Sequence, residues 1–338
     1  MDYKTLLTRL MRRHNLSADE SAEAIDAILS GALSEIQIAA FLAAMATKGE
    51  TVEELAGAAR AMRRRAVRVQ PAGQIVVDTC GTGGDNSGTF NVSTATAFVV
   101  AGAGVAVAKH GNRSVSSRCG SADVLEQLGV KIEAEPEIME QALNEIGIAF
   151  LFAPRYHAAM RHAMPVRKAL GVRTIFNLLG PLANPAGATC QLLGVYAPEL
   201  TEMFAHALRL LGTRRAFVAH GHDGMDELTT CAATRISELD KGVVKTYDLD
   251  PDRYFGERAR AADVAGGDAA ANAAILTAVL NGEKGARRNL VLLNAAAALV
   301  AASRAPDIVA GLELAARAVD SGAAAGKLQE LVRASKGN

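Results

Sequence analysis

Three stretches of this sequence concentrate residue types that grip anions and hard metal ions. The first is Asp78-Thr79-Cys80-Gly81-Thr82-Gly83-Gly84-Asp85-Asn86-Ser87-Gly88-Thr89-Phe90-Asn91-Val92-Ser93-Thr94. Glycines directly after a strand let the chain turn tightly and bring bare N–H groups against an anion. The helix N-terminus that follows, with Asn91, Ser93 and Thr94, adds donors and a positive dipole end. Neither familiar nucleotide loop fits. A dinucleotide fingerprint starting at Gly81 needs glycine where Asn86 stands, and a P-loop starting at Gly83 needs lysine where Thr89 stands.

The second stretch, Lys109-His110-Gly111-Asn112-Arg113-Ser114-Val115-Ser116-Ser117, also follows a strand-like run and joins cations to hydroxyls. Gly120-Ser121-Ala122-Asp123 then opens another helix. Two anion cradles on adjacent strand ends suit a ligand with separated phosphates, such as a sugar carrying a monophosphate and a pyrophosphate. In the third, His220-Gly221-His222-Asp223-Gly224-Met225-Asp226-Glu227, the adjacent Asp226 and Glu227 are hard oxygen ligands. Magnesium takes one or two such carboxylates and completes its shell with water and substrate phosphate. His220-x-His222 lacks a third nitrogen or sulfur nearby for zinc.

A fourth stretch, Pro154 to Lys168, is basic and aromatic and reads as one helix-like segment. An Arg fork with apolar walls there could hold a small aromatic carboxylate. Each stretch taken singly also reads as a turn, a polar surface loop or solvated acids. Asn177 to Gly187 reads as a Pro/Gly turn that packs rather than reacts.

The elements that would position these residues fall into two regions. Residues 1 to about 66 read as helix, with capping boxes at Ser17/Glu20, Ser34/Gln37 and Thr51/Glu54 and with Gly31 and Gly49 closing helices. Arg63-Arg64-Arg65 reads as a solvated helix end. Pro71 and Gly73 mark a linker. Beyond it, strand-like runs at 75–77, 105–108, 148–152, 192–196 and 216–219 alternate with helices at about 92–103, 122–128 and 200–211. That alternation predicts a largely parallel sheet with helices on both faces and ligands beyond the strand C-termini. The Ala-rich third from Asp268 to Val332 reads as helical cover, interrupted at Asn281-Gly282 and Pro306. The expected architecture is therefore α/β: a small N-terminal all-helical domain plus a large α/β domain with a mostly parallel central sheet flanked by helices.

The chain has 338 residues, half of them hydrophobic, enough for about two domains. Its 36 Lys and Arg balance 36 Asp and Glu, which argues against a whole-protein grip on nucleic acid or anionic membrane. Four scattered cysteines (Cys80, Cys119, Cys190, Cys231) form no CxxC, so neither a disulfide framework nor a zinc knuckle is indicated. The longest apolar run, about 15 residues from Thr94, is short of the roughly 20 needed to span a bilayer, and the N-terminus has no signal-like core.

Together, Gly81 to Asp85, Asn91 to Thr94, Lys109 to Asp123, Val166-Arg167-Lys168, Asn177 to Gly187 and Asp223 to Glu227 make the chain resemble the anthranilate phosphoribosyltransferases, in order and spacing, over most of its length. The resemblance implies transfer of a phosphoribosyl group from 5-phosphoribosyl 1-pyrophosphate to anthranilate in tryptophan biosynthesis. It also implies a Mg2+ requirement with two ions per active site, a homodimer through the helical domain, and a cytoplasmic setting without nucleic-acid or membrane partners. The helical domain would be residues 1–70 joined by helices within about 158–187, and the α/β domain residues 71–338.

By the same resemblance, Gly81, Gly84, Asp85, Thr89, Asn91, Val92, Ser93, Thr94, Lys109, His110, Gly111, Asn112, Arg113, Ser114, Val115, Ser116, Ser117 and Ser121 would hold the sugar donor. Lys109 would be catalytic. Gly81, Asn112, His157 and Arg167 would meet anthranilate, and Ser93, Asp226 and Glu227 would place the metal. Cys119 departs from the family's common serine and, as a weaker hydrogen-bonding group, is left off that set. Tyr156 stands where the family varies. Two rivals are a pyrimidine nucleoside phosphorylase-like enzyme, which needs phosphate as nucleophile and a base-recognition set, and a non-catalytic nucleic-acid-binding relative, which needs a basic excess.

Overall fold

The computed structural model describes residues 2–85, 87–114 and 118–337. Four helices open the chain: α1 (Tyr3–Met11), α2 (Ala18–Leu29), α3 (Glu35–Lys48) and α4 (Val52–Arg65). All three expected capping boxes form, with the hydroxyls of Ser17, Ser34 and Thr51 accepting the N–H of Glu20, Gln37 and Glu54. The third box does more than cap. Glu54 is fully buried, accepts from the Leu16 amide at 2.7 Å and pairs with Lys48 at 2.8 Å, tying the start of α2 to the ends of α3 and α4. Gly57 lets α2 and α4 cross closely: a Cβ there would lie 2.0 Å from the Ala18 carbonyl oxygen.

Seven strands follow: β1 (Val77–Gly81), β2 (Val107–Gly111), β3 (Ile148–Phe152), β4 (Cys190–Gly194), β5 (Arg215–Gly221), β6 (Thr234–Asp240) and β7 (Val243–Leu249). They form one sheet in the order β3-β2-β1-β4-β5-β6-β7. The first five are parallel and the last two antiparallel. The mostly parallel sheet matches the expectation. The β6–β7 hairpin has no counterpart in the sequence reading, because its outer strand is largely exposed and mixes charged with β-branched residues.

Two strands begin about two residues later than their apolar runs suggest. Ile75 is left partly exposed before β1, and Val105 precedes β2. The pairing of Val77 to Gly81 with Cys190 to Gly194 draws Asp78 and Thr79 into the sheet. The pairing of β2 with β3 likewise puts Lys109 and His110 inside a strand, opposite Phe150 and Leu151, rather than in a polar loop. His220 also lies within β5.

Helix α5 (Val92–Gly102) is apolar on every side because it is covered on every side, packing on the sheet, on the helix Ala286–Ala301 and on the helix Ala323–Ala334. Helix α6 (Ser121–Gln127) follows β2. The segment read as one helix from Pro154 to Lys168 is three pieces: Ala153–Tyr156, a 3-10 turn Ala158–His162, and Met164–Leu170. Pro154 and Pro165 each start a new helix, where a missing N–H is tolerated. The 3-10 turn, the helix Met164–Leu170 and the helix Ile175–Leu179 pack on α2, α3 and α4, while Ala153–Tyr156 packs on β3. The core of the N-terminal helices runs on through Ile175 and Leu179 into Phe204 and one face of the sheet, at Leu193, Val195 and Val218.

Candidate active site

Four of the five parallel strands end in glycine: Gly81, Gly111, Gly194 and Gly221. Each is glycine for space. A Cβ on Gly81 would stand 2.6 Å from the Asp226 carboxylate, one on Gly194 1.4 Å from the Asp226 carbonyl oxygen, one on Gly111 2.3 Å from the Ser121 hydroxyl, and one on Gly221 2.4 Å from the Asp223 carboxylate. The loop after β5 therefore lies directly on the tips of β1 and β4, carrying Asp226 and Glu227 over the glycine loop.

The metal-binding candidates converge there. Asp226 Oδ2 accepts the Gly83 amide at 2.9 Å, and the Asp226 amide reaches the Asp85 carboxylate at 3.4 Å. Glu227 Oε1 accepts the Ser93 amide at the start of α5 at 3.2 Å. Lys109, only 4% exposed, donates to the Thr79 carbonyl and to Ser93 Oγ at 3.3 Å. Desolvation and the nearby charges of Asp85 and Glu227 push Asp226 well above the usual carboxylate range. Glu227 is pushed up to about 8, chiefly by burial, with Lys109 opposing. Burial pulls the Lys109 ammonium down while Asp78 props it up.

Among the described residues, no group of three or more His, Cys, Asp or Glu side chains forms a self-sufficient metal cage. A magnesium ion does not need one, since it takes one or two carboxylates and fills the rest of its shell from phosphate and water. Asp226 and Glu227, both disfavoured as anions although the Lys109 ammonium is near, form a donor set that a divalent cation would relieve. Asp226, Glu227 and Ser93 fit that role.

The other candidates divide. Asn112 and Ser121 stand together at the end of β2, the Ser121 hydroxyl donating to the Asn112 carbonyl at 3.2 Å. The Ser114 amide donates to Asp123 at 3.1 Å. Arg113 turns away to pair with Asp123 and Glu126. Asn91 is engaged in structure, donating to the Cys119 carbonyl and accepting from Asn272. Val92 and Thr94 have their side chains in the core, and the Thr89 hydroxyl meets that of Ser87. Val115, Ser116 and Ser117 lie outside the described residues.

On the other side of the β1–β2 tips sit His110 and His157, each 7% exposed, with ring centroids 5.1 Å apart. His110 Nδ1 bonds the Gly180 carbonyl at 3.1 Å and His157 bonds that of Ala183. Burial lowers His110 to about 3, assisted by His157, and His157 to about 4, so both are neutral near pH 7. Their Nε2 atoms are buried without a partner among the described residues. Arg167 lies over the Phe176 ring, its guanidinium carbon 5.6 Å from the centroid. Among the described residues it has no carboxylate partner, and burial lowers its pKa.

Four residues outside the expected site set complete the arrangement: Asp78 opens the glycine stretch, Arg63 reads as a helix end, Asn184 reads as part of a packing turn, and Gln191 carries no reading in the sequence. Asn184 donates to Asp78 Oδ2 and to the Ala108 carbonyl, both at 2.8 Å, and accepts from the Ala186 amide. Asp78, pushed up to about 6 by burial against the pull of Lys109, also accepts the His110 amide. Gln191 and Arg63 donate to the carbonyls of Pro181 and Leu182. Arg63 is thus not a solvated helix end. Four successive carbonyls, Gly180 to Ala183, are each held by a different side chain. The buried amide of Asn184 in the otherwise apolar run Leu178 to Pro185 was the signal for this strap.

Fold and site together define a two-part glycosyl-transfer enzyme. Residues 4–66 match the helical bundle domain of the glycosyl transferase family, and residues 73–325 match its a/b domain. The anthranilate phosphoribosyltransferase of Desulfosudis oleivorans is 60% identical over 337 residues, covering 99% of both chains. The crystal structure of the Thermus thermophilus enzyme of that name superposes with a TM-score of 0.93 at 43% identity, covering 99% of this chain and 100% of that one. A Saccharomyces cerevisiae anthranilate phosphoribosyltransferase in complex with PRPP and Mg has a TM-score of 0.90 at 27% identity, covering 99% and 98%. The chain belongs to the anthranilate phosphoribosyltransferase family.

Proposed function

We propose that the protein transfers the phosphoribosyl group of 5-phosphoribosyl 1-pyrophosphate to the amine of anthranilate, releasing pyrophosphate, as a step of tryptophan biosynthesis. The observation that carries this reading is the convergence of Gly83, Asp85, Ser93, Lys109, Asp226 and Glu227 at the tips of β1, β2, β4 and β5. It is supported by full-length relatives of that name and by the yeast enzyme's complex with PRPP and Mg.

In this reading the glycine loop, the start of α5 and the residues from Lys109 to Ser121 hold the donor. Asp226, Glu227 and Ser93 hold Mg2+, as two ions, which when bound neutralise charge accumulating on the pyrophosphate. Lys109, fixed between Thr79 and Ser93, adds a cation on the same side. Arg167 receives the anthranilate carboxylate, while Asn112 and the neutral imidazoles of His110 and His157 line the acceptor side with Gly81. The C1–O bond to pyrophosphate breaks with its electron pair leaving on oxygen, the amine nitrogen forms the new bond to C1, and the nitrogen then sheds one proton to water or to the departing pyrophosphate. An arylamine is neutral at pH 7, so positioning and electrostatics carry the rate, and no covalent nucleophile is required.

The helical part comprises residues 1–70 with returning helices from 158–187, and it forms the contact of a homodimer in the cytoplasm. No helix among the described residues is long and apolar enough to cross a membrane. The direct test follows the loss of anthranilate fluorescence in the presence of the sugar donor and Mg2+. The protein contains no tryptophan to interfere. Turnover that needs all three components supports the reading, and no turnover with pure folded protein overturns it.

A further inference from the structure

Arg173, on the segment between the helices Met164–Leu170 and Ile175–Leu179, is exposed yet fixed at both ends of its guanidinium. Its Nη2 donates to the Gly84 carbonyl at 2.7 Å, and its guanidinium carbon stands 3.8 Å from the centre of the Tyr196 ring. An arginine stacked on an aromatic face and bonded through one edge has few alternative positions. Tyr196 is itself tied to the glycine loop, its amide donating to Thr82 Oγ1 at 3.1 Å, while the Thr82 amide donates to the Gly194 carbonyl at 2.9 Å. The loop from Thr82 to Gly84 is therefore pinned at one end by the tip of β4 and at the other by Arg173.

Pinning a carbonyl also aims an amide. A trans peptide holds its C=O and N–H in opposite directions, so drawing the Gly84 oxygen outward to Arg173 turns the Asp85 N–H away from Arg173. Gly84 itself is held at φ +77°, in the left-handed region that favours glycine, and a Cβ there would stand 2.8 Å from Arg173 Nη2 and displace the arginine.

We infer that Arg173 is a positioning residue for the sugar-diphosphate donor: with Tyr196 it clasps the Gly84 carbonyl and thereby orients the Asp85 N–H as a phosphate donor. The inference rests on the proposed transferase reading. It assigns Arg173 no contact with anthranilate and no dependence on its bare charge.

The test is steady-state kinetics on the full chain, with direct donor binding by calorimetry using 5-phosphoribosyl 1-pyrophosphate and Mg2+. Arg173→Ala is expected to raise KM and Kd for the donor about tenfold, with KM for anthranilate and the melting temperature held near wild type. Arg173→Lys keeps the charge but neither the stack nor the edge geometry, and is expected to recover less than half of the lost affinity. Tyr196→Leu should raise the donor KM in the same direction, Tyr196→Phe should restore it, and Arg173→Ala with Tyr196→Leu should be little worse than either alone. Full recovery by Arg173→Lys would make the effect plain attraction and overturn the clasp. So would a change in the anthranilate KM in place of the donor KM, or no change in either. An inactive wild-type protein would instead overturn the transferase reading on which the inference rests, and the two failures are distinct.

Discussion

The two groups of polar side chains around the strand tips are held by opposite means. On the side of the glycine loop, anionic groups crowd together: Asp226 and Glu227 lie near the Lys109 ammonium and close to Asp85, and both acids are displaced upward in pKa. On the side of His110, His157 and Arg167, the polar groups are neutral imidazoles and a cation without an acid partner among the described residues. The first side is incomplete without added positive charge, and the second without an added anion and hydrogen-bond donors. The first group thus suits a metal-bound polyanion, and the second suits a small carboxylate.

The sharpest way to break this comparison is to remove the acids. Asp226→Asn with Glu227→Gln is expected to lower Mg2+-dependent turnover by about a thousandfold or more, since the metal's charge stabilisation is lost. The same substitutions should leave the melting temperature unchanged or raised, because buried like charges are removed. Full activity in this variant would strip the pair of its metal role. Chelating the metal from the unmodified protein should abolish turnover to a similar degree, with circular dichroism unchanged.

Smaller effects sharpen the other side. Arg167→Ala should raise KM for anthranilate by about ten- to a hundredfold, as for loss of a charge-assisted fork, and leave the donor KM within about twofold. The reverse pattern would place the carboxylate elsewhere. Asn184→Leu should destabilise the fold by about 2 kcal/mol, because it removes three hydrogen bonds and strands Asp78, the Ala108 carbonyl and the Ala186 amide. Chemical denaturation of the variant measures this.

The smallest effect is on pH. His157 is depressed from its ordinary 6.5 to about 4 by burial, so below pH 6.5 the unfolded chain takes up a proton that the folded one refuses. Stability should therefore fall as pH drops from 6.5 towards 4, by about 1 kcal/mol at pH 5.5 from this group. His157→Gln should flatten that part of the melting-temperature profile. An unchanged slope would show that the imidazole titrates normally.

Much of this was legible in the residues. The three capping boxes announce helices because Ser/Thr followed three residues later by Glu/Gln satisfies two orphan amides at once, and each formed. Five consecutive apolar residues fixed β3 as Ile148–Phe152. Strand boundaries near the site were harder to read. Asp78, Lys109 and His110 look like loop residues and are buried strand residues, because charge partners and carbonyls from distant segments satisfy them. The same reason hid the roles of Asn184 and Arg173: their partners lie 106 and 89 positions away, so the amide in the apolar run 178–185 is a cue to a buried polar group but not to what it holds. Hairpin β6–β7 escaped notice because an exposed edge strand needs little hydrophobic alternation.

The central claim is that the strand tips and the acid pair together receive one diphosphate-bearing sugar through a divalent ion. Isothermal titration of the pure protein with 5-phosphoribosyl 1-pyrophosphate, with Mg2+ and with chelator in its place, addresses this directly. The account predicts saturable binding with Mg2+ that weakens at least tenfold without it and at least tenfold in the Asp226→Asn, Glu227→Gln protein. Equal affinity in all three titrations would contradict it.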